Sequence, residues 1–163
     1  MMDALKLFML RLRFFLTGKV PVKVKKLHPD ASLPKYAKDG DAGFDLAAIH
    51  DVCVQPGETV IIKTGLAMAI PKGFELQVRP RSGLSANTKL RVANSPGTID
   101  SGYRGEIGII MENIGDGFIR ISTGDRIAQG VISIVPVANF AETNELDETE
   151  RGTGGYGSTG MAS

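Results

Sequence analysis

The sequence predicts an all-β domain, a jelly-roll-like sandwich or barrel carrying one short helix. Three observations lead there. Short runs rich in β-branched residues recur along the chain. Turn chemistry separates them at near-regular spacing. The composition holds 20 Gly, few aromatics and no Trp, which suits a turn-rich β protein better than a helical bundle.

The chain has 163 residues, enough for one domain with its own core and no staple of disulfides or metal. The elements divide it into an N-terminal extension (1–20), a β domain (21–140) and a tether with a C-terminal motif (141–163). In the extension, Leu5 to Leu16 reads LKLFMLRLRFFL, an apolar run interrupted by Lys6, Arg11 and Arg13. It is too short and too charged to span a bilayer, and no small-residue cleavage site follows. A disordered or poorly packed extension outside the core is expected; an amphipathic segment on a membrane surface or partner stays open.

Strands are expected at Val22 to Lys25, Val52 to Val54, Thr59 to Lys63, Leu66 to Ile70 and Phe74 to Arg79. Further strands are expected at Ile107 to Met111, Phe118 to Ile121 and Ile127 to Val135. Gln55-Pro56-Gly57, Pro71-Lys72-Gly73, Gly115-Asp116-Gly117 and Thr123-Gly124-Asp125 break them. The single short helix falls near Ser82 to Asn87. After Val135 comes an acidic tether with Glu142, Glu145, Asp147, Glu148 and Glu150, too weakly apolar to fold alone.

Charge is nearly balanced at +1, which argues against a nucleic-acid partner. A lone cysteine cannot form an internal disulfide, so a reducing, cytoplasmic compartment is expected. Cys53 reads as buried filler in an apolar run. His28 and His50 lack metal-ligand spacing and read as surface or loop residues.

Three segments place polar groups where a sandwich does not need them. In Asp41-Ala42-Gly43-Phe44-Asp45-Leu46, Asp45 faces away from its apolar neighbours; alone, it reads as a solvated strand position. In Arg79-Pro80-Arg81-Ser82-Gly83-Leu84-Ser85, a strand stops at Pro80 and Ser82 stands where a helix begins, either as a simple cap or as an anion site helped by Arg81. In Asn94-Ser95-Pro96-Gly97-Thr98-Ile99-Asp100-Ser101-Gly102-Tyr103-Arg104-Gly105, a hairpin with Asp100 near its tip is expected. Asp100 reads as an Asx-turn residue or as a base that takes a proton from water.

The tail Arg151-Gly152-Thr153-Gly154-Gly155-Tyr156-Gly157-Ser158-Thr159-Gly160 matches the letter pattern of a dinucleotide fingerprint. That fingerprint needs a helix after it, and the sequence leaves no room for one. Its glycines let backbone approach a phosphate closely, and Arg151 supplies a bidentate donor.

Taken together and in order, DAGFDL, RPRSGLS, NSPGTIDSGYRGEI, GDRIAQGVI and RGTGGYGSTG resemble the five motifs of the trimeric dUTP pyrophosphatase family. The resemblance spans about residues 22–160. It implies a homotrimer that hydrolyses dUTP to dUMP and pyrophosphate, with active sites shared between subunits. Asp100 matches the catalytic base acting on the water that attacks the α-phosphorus. Tyr103 matches the residue under the deoxyribose, and Asn94 with Gly97, Thr98 and Ile99 the uracil-reading hairpin. Arg81, Ser82, Gly83 and Gln129 match phosphate contacts. Asp45 matches the residue holding Mg²⁺ through water. Arg151, Gly157, Ser158 and Thr159 match tail contacts to the outer phosphates. Tyr156 stands where the family usually has a base-stacking Phe. A dCTP deaminase-like enzyme shares the fold but lacks such a tail, and a catalytically silent nucleotide-sensing homologue is the non-enzymatic alternative.

Overall fold

A computed structural model describes residues 4–155. The chain begins with α1 (Ala4–Thr17), followed by β1 (Lys23–Lys26), β2 (Phe44–Ala47), β3 (Val52–Val54), β4 (Thr59–Lys63) and β5 (Leu66–Ala69). Then come β6 (Phe74–Arg79), α2 (Ser82–Asn87), β7 (Leu90–Val92), β8 (Gly97–Ile99), β9 (Gly108–Asn113), β10 (Ile119–Ile121) and β11 (Arg126–Ile134). The expected all-β class is observed, with α2 where the short helix was placed.

The strands form a four-stranded sheet β2-β11-β6-β8, a three-stranded sheet β4-β9-β7, and the pairs β1-β5 and β3-β10. Every pairing is antiparallel. Alternation decides which side chains enter the core. In β6, Phe74, Leu76 and Val78 point inward while Glu75, Gln77 and Arg79 point out. In β9, Ile109, Met111 and Asn113 are buried. The buried amide of Asn113 is satisfied: Nδ2 donates to the Val54 carbonyl at 3.0 Å and the Gly117 carbonyl at 2.8 Å, and Oδ1 accepts from the Gly115 amide at 3.0 Å. Gly130 is set by close packing. A Cβ there would lie 2.5 Å from the Phe44 ring and 2.9 Å from Leu76 Cδ1.

Three expectations need correcting. Residues 4–17 are helical, not irregular, because Lys6 and Arg13 fall on exposed positions of a helix that keeps an apolar period. The helix meets the core at Phe14, whose ring lies edge-on to Phe74 at 5.3 Å. Gly18, at φ +64°, ends it in the left-handed region. Cys53 is exposed. In β3 it is Val54 that turns fully inward, so the residue between the two valines faces out. The 94–105 segment is not a self-paired hairpin. β7 pairs with β9, whereas β8 crosses to the other sheet and pairs with β6.

His28 is exposed and His50 half-buried in a bend, as expected for loop residues. Residues 135–149 carry no helix or strand and are exposed.

Candidate active site

β11 is the organising strand. Its Gln129 pairs with Asp45 of β2 on one side and with Arg79 of β6 on the other. Three chain segments distant in sequence therefore meet at one sheet corner. Pro80 ends the β6 ladder because it has no N–H to donate. Its carbonyl accepts a hydrogen bond from Gln129 Nε2 at 2.8 Å.

Asp45 carries the electrostatics of this corner. Its Oδ1 lies 2.7 Å from Arg81 Nε and its Oδ2 lies 3.1 Å from an Arg126 guanidinium nitrogen. Arg81 also donates to the Arg126 carbonyl at 3.0 Å. One carboxylate thus fixes two guanidiniums at the corner. A guanidinium has five N–H donors, so Arg81 retains donors for an anion. Arg81 is the N-cap residue of α2, with extended backbone and no side-chain capping bond. Ser82 is therefore the first helical residue rather than the cap. The amides of Ser82 and Gly83 belong to the first turn, where no intrahelical acceptor exists. A concavity of about 310 Å³ opens between Asp45, Arg81, Ser82, Gly83, Arg126 and Gln129. A neighbouring one of about 400 Å³ shares Ser82 and Gln129 and reaches Ser95 and Pro96.

A second group lies along β8. Gly97 is buried opposite Val78, Thr98 faces Gln77 and Ile99 faces Leu76. A Cβ at Gly97 would lie 3.1 Å from Asn94 Nδ2 and 3.4 Å from Val78 Cβ, a close fit. The Ser95–Pro96 peptide is cis. Asp100 is exposed just past β8, and its carbonyl accepts the Tyr103 amide at 3.1 Å. The Tyr103 hydroxyl donates to the Glu106 carbonyl at 2.9 Å, laying the ring against Gly105.

Within one chain Asp100 does not reach the Arg81 corner. Ile99 pairs with Leu76, and Arg81 lies five residues beyond Leu76 in the opposite direction from Asp100. At the rise of an extended strand, Asp100 and Arg81 are separated by roughly 20 Å along the strand axis. The chain presents two half-sites: an anion corner built on Asp45, Arg81, Ser82, Gly83 and Gln129, and a second built on Asn94, Gly97, Thr98, Ile99, Asp100 and Tyr103. Arg151 joins neither. Among the described residues it donates to the Gly154 carbonyl at 3.1 Å, within its own turn. Tyr156, Gly157, Ser158 and Thr159 lie outside the described residues.

Arg126 is the residue that sequence reading missed. It sits in the quoted GDRIAQGVI segment at the start of β11, but its partner Asp45 is 81 residues away. Gly43 is another: a Cβ there would lie 2.7 Å from the Gln129 side-chain oxygen.

Fold and site together define an all-β scaffold whose corner offers guanidinium and first-turn amide donors to an anionic ligand. A sequence model of the dUTPase family matches residues 29–160, and the chain belongs to that family. The deoxyuridine 5'-triphosphate nucleotidohydrolase of Helicobacter pylori is 48% identical over 141 residues, covering 86% of this chain and 97% of that protein. The protein of the same name from Picosynechococcus is 50% identical over 139 residues, covering 85% and 98%. Among solved structures, the Staphylococcus bacteriophage 80alpha dUTPase with dUPNHPP superposes with a TM-score of 0.81 at 32% identity, covering 86% of this chain and 98% of that one. A mutant dUTPase from phage phi11 of S. aureus, with its coordinated structural Mg(II) ion, superposes with a TM-score of 0.74 at 27% identity, covering 78% and 99%.

Proposed function

We propose that this chain hydrolyses dUTP to dUMP and pyrophosphate in sites that residues of different subunits of a homotrimer complete. The observation that carries the reading is the separation of Asp100 from Arg81 within one chain, although both lie in segments the family model matches. A base that cannot reach the phosphate corner of its own chain serves the corner of a neighbour. A closed cyclic trimer would meet that requirement if its interface set one chain's β8 edge against another's Arg81 corner.

In this arrangement Asn94 and the backbone of Gly97, Thr98 and Ile99 read the uracil edge. Fixed donors and acceptors there reject cytosine, because a mismatched pair leaves polar groups unpaired. Tyr103 packs against the deoxyribose. Arg81, the amides of Ser82 and Gly83, and Gln129 hold phosphate oxygens and neutralise charge that builds up during hydrolysis. Asp100 takes the proton of the attacking water as its oxygen bonds to the α-phosphorus and pyrophosphate leaves. Arg151, Tyr156, Gly157, Ser158 and Thr159 close over the ligand from the tail, with Tyr156 stacking on the base. The exposed acidic tether lets the tail order only when ligand is bound.

The donor set fits Mg²⁺ only in a particular way. Among the described residues no group of three or more His, Cys, Asp or Glu side chains converges. Mg²⁺ keeps several waters and is commonly held by one or two carboxylates and substrate phosphates. Both Asp45 oxygens hold guanidiniums, which leaves lone pairs for a metal-bound water rather than direct coordination. Bound in this way, Mg²⁺ would fix the geometry of the triphosphate and neutralise part of its charge.

Pyrophosphate release from dUTP, dCTP, dTTP, dATP and dGTP, with and without Mg²⁺, tests the assignment. Selective turnover of dUTP is expected. Ammonia release from dCTP would establish the deaminase alternative, and analogue binding without turnover the silent homologue.

A further inference from the structure

The N-terminal helix lies outside everything the family match explains. The family model starts at residue 29, and 86% of this chain already covers 97% of the Helicobacter pylori relative. Yet α1 is a formed helix with a defined end. Phe14 seats it on Phe74, the Gly18 amide donates to the Phe14 carbonyl at 2.7 Å, and the Thr17 hydroxyl donates to the Arg13 carbonyl at 2.7 Å.

Its outer face is apolar. Phe8 is 60% exposed, Met9 55%, Leu12 39%, Phe15 86% and Leu16 72%. Their spacing of i, i+1, i+4, i+7 and i+8 places them on one stripe of the helix, away from the Phe14 side that faces the β domain. An exposed stripe of this size marks an interaction surface. The charge around it is one-sided. Between residues 4 and 29 there are seven basic residues (Lys6, Arg11, Arg13, Lys19, Lys23, Lys25 and Lys26) and no acidic one. Lys6, Arg13, Lys19, Lys23, Lys25 and Lys26 are all exposed.

We infer that α1 binds an anionic lipid surface, lying in the plane of the interface with the Phe8–Leu16 stripe among the acyl chains. Aromatic and leucine side chains on one face, with lysine and arginine beside them, are the composition such a helix needs. The basic side chains reach past their apolar stems to the headgroups. The helix has 14 residues, and none among the described residues is long and apolar enough to cross a membrane. A second copy of the same helix is a poorer occupant. Pairing would bring two wholly basic segments together, and like charges repel.

The position of α1 sets the phosphate corner apart from that surface. Phe74 begins β6 and Arg79 ends it, next to the Asp45–Arg81 corner. Anchoring at one end leaves the corner about 17 Å away along the strand.

The test is co-sedimentation of the full chain with phosphatidylcholine vesicles, with and without phosphatidylglycerol. The wild type should pellet with the phosphatidylglycerol vesicles, and less so as salt rises. The triple variant Phe8→Glu, Leu12→Glu, Phe15→Glu should stay in the supernatant, with hydrolysis rate and oligomeric mass unchanged. Lys6→Gln, Arg13→Gln, Lys19→Gln should lower the partition coefficient by about two orders of magnitude, at roughly 1 kcal/mol per cation. Wild-type protein that remains in the supernatant at low salt overturns the inference. So does binding that the triple variant retains. A fall in oligomeric mass in the triple variant also overturns it, because it would assign the stripe to self-association.

Discussion

Asp45 Oδ1 lies 2.7 Å from Arg81 Nε, and the same carboxylate holds Arg126 through its other oxygen at 3.1 Å. An isolated aspartate on a strand would be a solvated side chain. Here it is the clamp that aims two cations at one corner.

Removing that clamp should loosen the phosphate contacts without unfolding the domain, because Asp45 is partly exposed and its strand is held by the β11 ladder. Asp45→Ala is expected to lower kcat/KM on dUTP by about 100-fold, the usual penalty for misplacing a positioning group. Steady-state kinetics beside a circular dichroism spectrum checks this. An unchanged kcat/KM with a native spectrum would remove Asp45 from the site.

Asp100→Asn keeps the shape of the side chain and removes its basicity. Binding of a non-hydrolysable dUTP analogue should be retained while kcat falls by about 100- to 10,000-fold. Titration calorimetry and single-turnover kinetics separate the two effects. A kcat near that of the wild type would reassign the base.

Asp51 gives the fold a pH-dependent tie. Its carboxylate accepts the Thr123 amide at 2.9 Å and the Thr123 hydroxyl at 3.1 Å, and pairs with Arg120 at 3.2 Å. The backbone hydrogen bond from Thr123, then the bonds from Arg120 and the Thr123 hydroxyl, hold its carboxyl below the ordinary value. A carboxyl that is more acidic in the folded state contributes stability above the unfolded pKa, near 4. That contribution disappears as pH falls through the lowered folded value. Asp51→Asn should therefore melt below the wild type at neutral pH, and the two melting temperatures should converge on acidification. Parallel curves at every pH would show that ionisation of Asp51 plays no part.

Gly130→Ala tests the close approach of β11 to β2 and β6. The added methyl would meet the Phe44 ring and Leu76 Cδ1, both buried in the core. Overpacking of this kind costs about 1–3 kcal/mol, to be read from urea denaturation. A neutral substitution would mean that the Phe44 ring has room to move.

Much of this was legible in the sequence because it is local. The alternation of Phe74 to Arg79 announced β6 and its inward face, and the stop at Pro80 announced the start of α2. The ordered motifs pointed to Asp45, Arg81 and Gln129 before any contact between them was known. What escaped was long-range or geometric. The Asp45–Arg126 pair joins residues 81 positions apart. The crossing of β8 to the opposite sheet is decided by β6, not by the turn at Asn94 that resembled a hairpin. Cys53 lies in an apolar run yet is exposed, because alternation puts it on the face opposite Val54. The helix at residues 4–17 escaped because charges inside an apolar run looked like interruptions, when they sit at exposed helical positions.

The roughly 20 Å between Asp100 and Arg81 within one chain makes the shared site the central claim. Subunit complementation tests it most directly. Arg81→Ala and Asp100→Asn proteins, each inactive alone, are unfolded together, refolded as mixed oligomers and assayed on dUTP. Random mixing joins an intact Asp100 from one chain to an intact Arg81 of another in about a quarter of the sites, so close to that share of wild-type activity should return. A mixture that forms mixed oligomers yet stays as inactive as its parents would show that Asp100 and Arg81 must come from the same chain.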